Sequence, residues 1–156
     1  MMRHAKSSWK DPALRDHERP LNRRGRGDAP RMGAWLADMG WTPDLVVLSD
    51  SQRTRETWAL MAPMLPREPT VHERPGFYHA GLSAILADAA TWPESTRTVL
   101  ALGHNPGWED ALARLSGCDE VMTTGNIALL EGRGSSWSSA LGRPWHLVAF
   151  ARPREI

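Results

Sequence analysis

Two short runs of almost purely apolar residues constrain the fold of this chain more than any other feature. Residues 45–48 read Leu-Val-Val-Leu, and residues 98–102 read Thr-Val-Leu-Ala-Leu. Runs of four or five residues that are rich in branched side chains and lack polar alternation are typical of strands buried on both faces. Strands of this kind belong to parallel sheets that helices cover on both sides. The chain is therefore predicted to be an α/β protein.

Segments with helical spacing alternate with these strands. Asn22 is a plausible N-cap for a helix that runs to about Met39, and Gly40 would end it. Further helices are predicted after Ser49, over residues 82–90, and from Pro106 to about residue 115. Weaker strands are predicted over residues 70–73, 126–130 and 146–151, with a loop of residues 131–136 after the second of them. Together these elements predict a three-layer α/β/α sandwich in one domain, residues 1–156. Its central sheet is mostly parallel, with an antiparallel edge strand.

The chain start leaves little room for a first strand. Only Met1 and Met2 precede Arg3, whereas a central strand usually needs ~5 residues. Either this strand is very short or the natural start lies upstream. Residues 5–21, rich in charged residues, read as a long loop over the sheet edge, and loops of that length are usually functional.

Composition limits the partners and the compartment. The formal net charge of +1 argues against non-specific nucleic-acid binding, which normally needs a much larger positive charge. The single cysteine, Cys118, cannot form an intrachain disulfide, so a reducing compartment is expected. No run approaches the ~18 apolar residues that cross a bilayer, and no signal peptide is evident. A cytoplasmic protein without membrane or nucleic-acid partners is predicted.

Histidines and arginines follow the predicted strands. His4 and Arg3 lie at the end of the first strand, Arg53 follows residues 45–48, and His104 follows residues 98–102. The carboxyl ends of parallel strands face one crevice, where guanidinium groups and helix N-termini would bind phosphate. A neutral imidazole beside that phosphate can attack phosphorus, and a second can stabilise the transferring oxygens without a metal. A backbone carbonyl should hold the other ring nitrogen of His4.

Several ordered motifs resemble those of the histidine phosphatase superfamily (phosphoglycerate mutase-like, branch 1). The chain is most similar to the small phosphohistidine phosphatases of the SixA type. The matching segments are Arg3-His4-Ala5, Glu18-Arg19-Pro20-Leu21-Asn22 with Gly25, Ser49 with Arg53 and Thr57, Phe77-Tyr78-His79-Ala80, Gly103-His104-Asn105-Pro106-Gly107, and Thr123-Thr124-Gly125-Asn126-Ile127-Ala128.

This resemblance implies a metal-independent phosphatase that needs no cofactor. It implies that His4 becomes phosphorylated, that Arg3, Arg53 and His104 line the phosphate pocket, and that Arg19 reaches in from the loop. The implied substrate is a phosphorylated protein that carries phosphohistidine, or a small phosphorylated molecule.

The chain departs from the family pattern in three places. Ala5 replaces the common glycine, and Asp50 replaces the usual proline after Ser49, where its carboxylate would partly offset the charge of Arg53. No acidic motif matches the general acid of larger members, which leaves Asp50, Glu73 and His79 as candidates. A missing acid would suit phosphohistidine, because imidazole leaves more easily than an alkoxide.

Three other functions compete with a protein phosphohistidine phosphatase. The same chemistry could act on a small phosphomonoester. The pocket could bind phosphate without turnover, as a phosphate-binding or interaction module. A metallohydrolase built on His4, His79 and His104 would lose its activity to a strong chelator.

Overall fold

A computed structural model describes residues 1–156 and contains a six-stranded mixed sheet with helices on both faces. The strands are β1 (Met2–Arg3), β2 (Leu45–Leu48), β3 (Thr70–Glu73), β4 (Val99–Gly103), β5 (Ile127–Glu131) and β6 (His146–Ala151). The helices are α1 (Arg23–Asp38), α2 (Gln52–Met61), α3 (Leu82–Ala89), α4 (Gly107–Ser116) and α5 (Trp137–Leu141). Single 3-10 turns lie at Asp16–Glu18, Ala62–Met64 and Pro75–Phe77.

The strands follow the order β3-β2-β4-β1-β5-β6 across the sheet. The β3, β2, β4 and β1 strands are mutually parallel, whereas β5 pairs antiparallel with both β1 and β6. The predicted three-layer α/β/α sandwich and its antiparallel edge pair are confirmed. The strand that runs against all the others is β5, second from the edge, and the outermost strand β6 runs in the same direction as β1.

Each face of the sheet has its own core. Val46 and Leu48 pack with α1 and α2, whereas Leu45 and Val47 pack with α3, α4 and α5 on the opposite face. All four residues of β2 are buried, as the apolar run predicts. The alternation of side chains along this strand therefore joins the two cores through the sheet.

The helix α1 begins where the sequence places it, next to the loop that follows β1. The Asn22 side chain accepts a hydrogen bond from the Gly25 backbone at 2.9 Å and caps the helix. At Gly25, a Cβ atom would lie 2.2 Å from the carbonyl oxygen of Lys6. Glycine thus allows α1 to pack directly against the chain segment that leaves β1.

The first strand is only two residues long, and a cavity lies beyond its amino end. Met2 pairs with Leu102 on β4 and with Ile127 on β5. Beyond Met1, the space between β4 and β5 is a mainly apolar cavity of about 850 Å³. The amine of Met1 donates a hydrogen bond to the Ala128 carbonyl at 2.7 Å, and burial lowers the pKa of this amine to about 5.

The connection between β5 and β6 differs from the predicted plain loop. A one-turn helix, α5, follows residues 131–136, and the Ser136 side chain caps it by accepting from the Ser139 backbone at 3.2 Å. The Trp137 indole donates to the Thr96 carbonyl at 2.9 Å, a contact across 41 residues that local spacing does not reveal. None of the helices combines the length and the apolar character needed to cross a membrane.

Candidate active site

Two buried histidines meet at the carboxyl ends of β1 and β4. Arg3 is in register with Gly103, and the backbone N–H of His4 donates to the Gly103 carbonyl at 3.0 Å. His4 and His104 follow these positions, and their ring centroids lie 5.0 Å apart. The parallel pairing of the two strands therefore places both imidazoles in one pocket.

The hydrogen bonds of His4 assign its tautomer. The Nδ1 atom lies 2.7 Å from the carbonyl oxygen of Ala5. A carbonyl can only accept, so Nδ1 carries the proton, and this is the backbone contact expected from the sequence. The Nε2 atom accepts a hydrogen bond from Nε of Arg53 at 3.2 Å. The lone pair of Nε2 therefore points toward Arg53.

The turn after His4 is fixed from α2. The backbone N–H of Ala5 donates to Oγ1 of Thr57 at 3.0 Å, and the Thr57 hydroxyl donates to the Arg53 carbonyl at 2.6 Å. Gly125 adds a backbone hydrogen bond to the His4 carbonyl at 3.0 Å. These contacts explain why a threonine lies one turn after Arg53 in the motif.

Arg53 joins the two imidazoles. Its Nη2 atom donates to Nδ1 of His104 at 3.3 Å, which leaves the proton of the neutral His104 ring on Nε2. That Nε2 atom faces Oγ of Ser51 at 3.5 Å. One buried guanidinium, carried by the first turn of α2, therefore contacts both rings.

Both imidazoles are uncharged at neutral pH. Burial lowers the pKa of His4 to about 3, and the charges of Arg53, Arg3 and Arg19 act in the same direction against the hydrogen bond to Ala5. Burial also lowers the pKa of His104 to about 2, with help from His4 and Arg53. A neutral His4 keeps the lone pair that a nucleophile requires.

Asp16 occupies the arginine side of the pocket, and the sequence analysis did not identify it. Its Oδ2 atom lies 2.9 Å from Nη2 of Arg53, and its Oδ1 atom lies 2.6 Å from Nη1 of Arg19. The Tyr78 hydroxyl donates to Oδ2 at 2.5 Å. Burial acts to raise the pKa of Asp16, but the hydrogen bonds from Tyr78, Arg19 and Arg53 hold it well below its usual range. The carboxylate is therefore ionised.

Arg19 is buried within the loop of residues 5–21. Its Nη2 atom donates to Oγ of Ser7 at 2.6 Å, and its Nε atom donates to the Ser8 carbonyl at 2.9 Å. The guanidinium lies 3.2 Å from the ring centre of Trp9. These contacts hold the loop closed around Arg19, whose remaining nitrogen faces Asp16.

Arg3 holds a different position from the other arginines. Its Nη1 atom donates to the Met122 carbonyl at 2.7 Å, while its buried Nε atom has no hydrogen-bond partner. The charge of Arg3 acts on the pKa of His4. An unpaired buried donor costs free energy unless a ligand or water satisfies it, so this N–H is available to an anion.

Tyr78 and His79 form the rim. The His79 ring lies 5.5 Å from that of His104, and its Nε2 atom lies 3.4 Å from Oδ2 of Asp16. His79 has a φ of 51°, which is strained for a residue with a side chain. A Cβ atom at Gly107 would lie 1.9 Å from the Ala80 carbonyl oxygen, so this glycine allows the rim segment to approach α4.

Two of the predicted acid candidates, Asp50 and Glu73, form no hydrogen bond or ion pair with His4 or His104. Asp50 lies 2.9 Å from Nε2 of His17, whose ring packs edge-on against Tyr78. Glu73 forms an exposed ion pair with Arg55 at 2.6 Å. The carboxylate that offsets the charge of Arg53 is therefore Asp16, contributed by the 5–21 loop, and not Asp50.

No group of three or more His, Cys, Asp or Glu side chains has the arrangement that would hold a metal ion. His4, His79 and His104 lie near one another, but the hydrogen bonds of His4 and His104 engage both nitrogens of each ring. What the pocket does offer is several guanidinium donors and the neutral imidazole of His4, whose Nε2 lone pair accepts a hydrogen bond from Arg53 only. Such a site can bind a tetrahedral oxyanion and attack it.

Comparisons with known proteins agree with this geometry. Residues 1–80 match the family model of the histidine phosphatase superfamily, branch 1. An uncharacterized chloroplastic protein of Arabidopsis thaliana is 39% identical over 168 residues, which cover 98% of this chain and 76% of that protein.

Two solved structures share the fold over nearly their full length. One, from Agrobacterium tumefaciens, is assigned as a phosphohistidine phosphatase SixA; it is 27% identical, with a TM-score of 0.82, and the match covers 97% of this chain and 95% of that chain. Another, from Nakamurella multipartitia, carries the same assignment; it is 30% identical, with a TM-score of 0.81, and the match covers 97% and 93% of the two chains. The chain therefore belongs to branch 1 of the histidine phosphatase superfamily and is a phosphatase of the metal-independent histidine class.

Proposed function

We propose that this phosphatase transfers a phosphoryl group to Nε2 of His4 and that its substrate is phosphohistidine on a protein. The observation that carries the first part is the state of His4. Its Nδ1 proton is held by the Ala5 carbonyl, and its Nε2 lone pair lies within the cluster of Arg53 and His104. The similarity to two structures assigned as phosphohistidine phosphatases supports the second part.

The first step forms the bond between Nε2 of His4 and phosphorus while the bond between phosphorus and the leaving nitrogen breaks. Arg3, Arg53 and Arg19 hold the three phosphoryl oxygens, and the ring of His104, 5.0 Å from that of His4, stabilises the same group in the transition state. The departing imidazole keeps the bonding electron pair and takes up a proton from solvent, which the second step returns. His4 becomes a phosphohistidine.

The second step uses water. Its oxygen attacks phosphorus, the bond to Nε2 of His4 breaks, and the electron pair returns to the ring. Phosphate leaves, one proton is released, and the hydrogen bond to Ala5 restores the starting tautomer. No metal takes part in either step.

The ionised state of Asp16 favours a phosphohistidine substrate. The Asp16 carboxyl, which lies against Arg53 and Arg19, has a pKa well below its usual range and holds no proton at neutral pH. An alkoxide leaving group needs such a proton, whereas imidazole departs more readily. Hydrolysis of a phosphorus–nitrogen bond therefore suits this site better than hydrolysis of a phosphomonoester.

The test is to label the protein with a radioactive phosphohistidine protein and to follow turnover. We expect a phosphoryl adduct that is stable to base and labile to acid, together with multiple turnovers. His4→Ala should abolish both. Equal phosphate release by the wild type and by His4→Ala would contradict the proposal, and a bound but unreacted phosphoprotein would indicate a non-catalytic binding module.

A further inference from the structure

A second cavity lies next to Arg3, outside the cluster of histidines. It has a volume of about 480 Å³, and every side chain that lines it is polar or charged except that of Pro153. Its positively charged lining residues come from three parts of the chain: Arg3 and Lys6, Arg24 of α1, and the tail residues Arg152 and Arg154. We call this space the basic cavity.

The charges of the basic cavity do not cancel. Its two acidic residues are already paired, Asp28 with Arg24 at 3.3 Å and Glu155 with Arg152 at 3.4 Å. Lys6 and Arg154 line the same space and have no ion pair, whereas Arg3 is assigned to the phosphoryl group. Two uncompensated cations around a polar cavity favour an anionic ligand.

The basic cavity is also joined to the phosphate pocket. Arg3 lines it and precedes His4 directly, and the unpartnered Nε atom of Arg3 is a donor that no protein group uses. The 123–125 loop forms another wall and is held to β1, because Gly125 donates to the carbonyls of Arg3 and His4 at 3.2 and 3.0 Å. A substrate bound at His4 is therefore next to this cavity.

We propose that the basic cavity binds an Asp or Glu side chain that flanks the phosphohistidine of the substrate protein. This inference rests on the proposed function. A carboxylate near the phosphoryl group would accept charge-assisted hydrogen bonds from Lys6 and Arg154. The enzyme would then select phosphohistidines in acidic surroundings.

The experiment compares two phosphohistidine peptides that differ only in their flanking residues, Asp and Glu in one and Asn and Gln in the other. The wild type should dephosphorylate the acidic peptide with a kcat/KM about tenfold higher than for the peptide with Asn and Gln. A tenfold ratio is the effect of one charge-assisted hydrogen bond. The difference should lie in KM and should shrink at high salt. The double variant Lys6→Ala/Arg154→Ala should lose the preference.

The readout is the ratio of the two kcat/KM values within each variant, which cancels a general loss of activity or folding. Arg133→Ala is the matched control, because Arg133 is exposed in the loop after β5, which runs antiparallel to β1 and ends at the opposite end of the strands from His4. If the wild type dephosphorylates both peptides with the same kcat/KM, the role of the basic cavity is overturned, but the proposed substrate class is not. If the wild type hydrolyses p-nitrophenyl phosphate but dephosphorylates neither peptide, the proposed substrate class itself is overturned.

Discussion

Arg53 is the residue on which the pocket depends most. Its guanidinium contacts Nε2 of His4 at 3.2 Å, Nδ1 of His104 at 3.3 Å and Oδ2 of Asp16 at 2.9 Å. A planar group with five donors can make these contacts together, and an ammonium cannot. The same side chain positions the two imidazoles, and its charge adds to the burial that lowers the pKa of both rings.

Arg53→Lys should therefore lower kcat/KM by roughly 100- to 1,000-fold, the range seen when one donor to a transition-state oxyanion is removed. Steady-state kinetics with a phosphohistidine peptide measures this. Arg55→Lys is the control, since Arg55 lies on the same helix in an exposed ion pair with Glu73. A loss of similar size in both variants would place the effect in α2 as a whole and contradict the role of Arg53.

Asp16 presents a negative charge to the arginines that would bind phosphate. Asp16→Asn keeps the shape of the side chain but removes the charge, so inorganic phosphate should inhibit this variant more strongly, with a Ki lower by about tenfold. Asp50→Asn should leave Ki unchanged, because Asp50 pairs with His17 instead. An unchanged or higher Ki for Asp16→Asn would show that the carboxylate does not compete with phosphate.

At the scale of elements, the rim depends on the close approach of residues 78–80 to α4. A Cβ at Gly107 would lie 1.9 Å from the Ala80 carbonyl, so Gly107→Ala must displace this segment, which carries Tyr78 and His79. We expect a loss of about 1–3 kcal/mol in the free energy of unfolding and a fall in kcat/KM.

Gly27→Ala provides the matched comparison for Gly107→Ala. Gly27 is an exposed residue of α1, and nothing lies within 4 Å of a Cβ placed there. Alanine should raise the free energy of unfolding by roughly 0.5–1 kcal/mol through the helix propensity alone. Urea unfolding distinguishes the two variants, and equal effects at both positions would contradict the steric argument.

At the scale of the whole molecule, the sequence was informative where burial alone decides the structure. The apolar runs at 45–48 and 98–102 identify two central strands, because a strand covered on both faces has no polar positions. The convergence of His4, Arg53 and His104 then follows from the direction of parallel strands. These features need only the order of elements along the chain.

Features that depend on contacts between distant residues were not predictable in this way. Asp16 lies in an irregular loop and obtains its position from Tyr78, which is 62 residues away. Its only local signal is the spacing of three residues to Arg19, which resembles an ordinary surface ion pair. The acid candidates Asp50 and Glu73 also lack a partner that the sequence reveals, and the structure pairs Asp50 with His17 and Glu73 with Arg55.

The central claim is that Nε2 of His4 accepts the phosphoryl group. Rapid quenching of the enzyme with a phosphohistidine protein substrate in base, followed by peptide mapping and NMR of the modified peptide, measures the site and the ring nitrogen of attachment. The account predicts one phosphoryl group on Nε2 of His4, because the Nδ1 proton is held by the Ala5 carbonyl. Attachment to Nδ1 or to another residue, or turnover without any covalent phosphoenzyme, would contradict it.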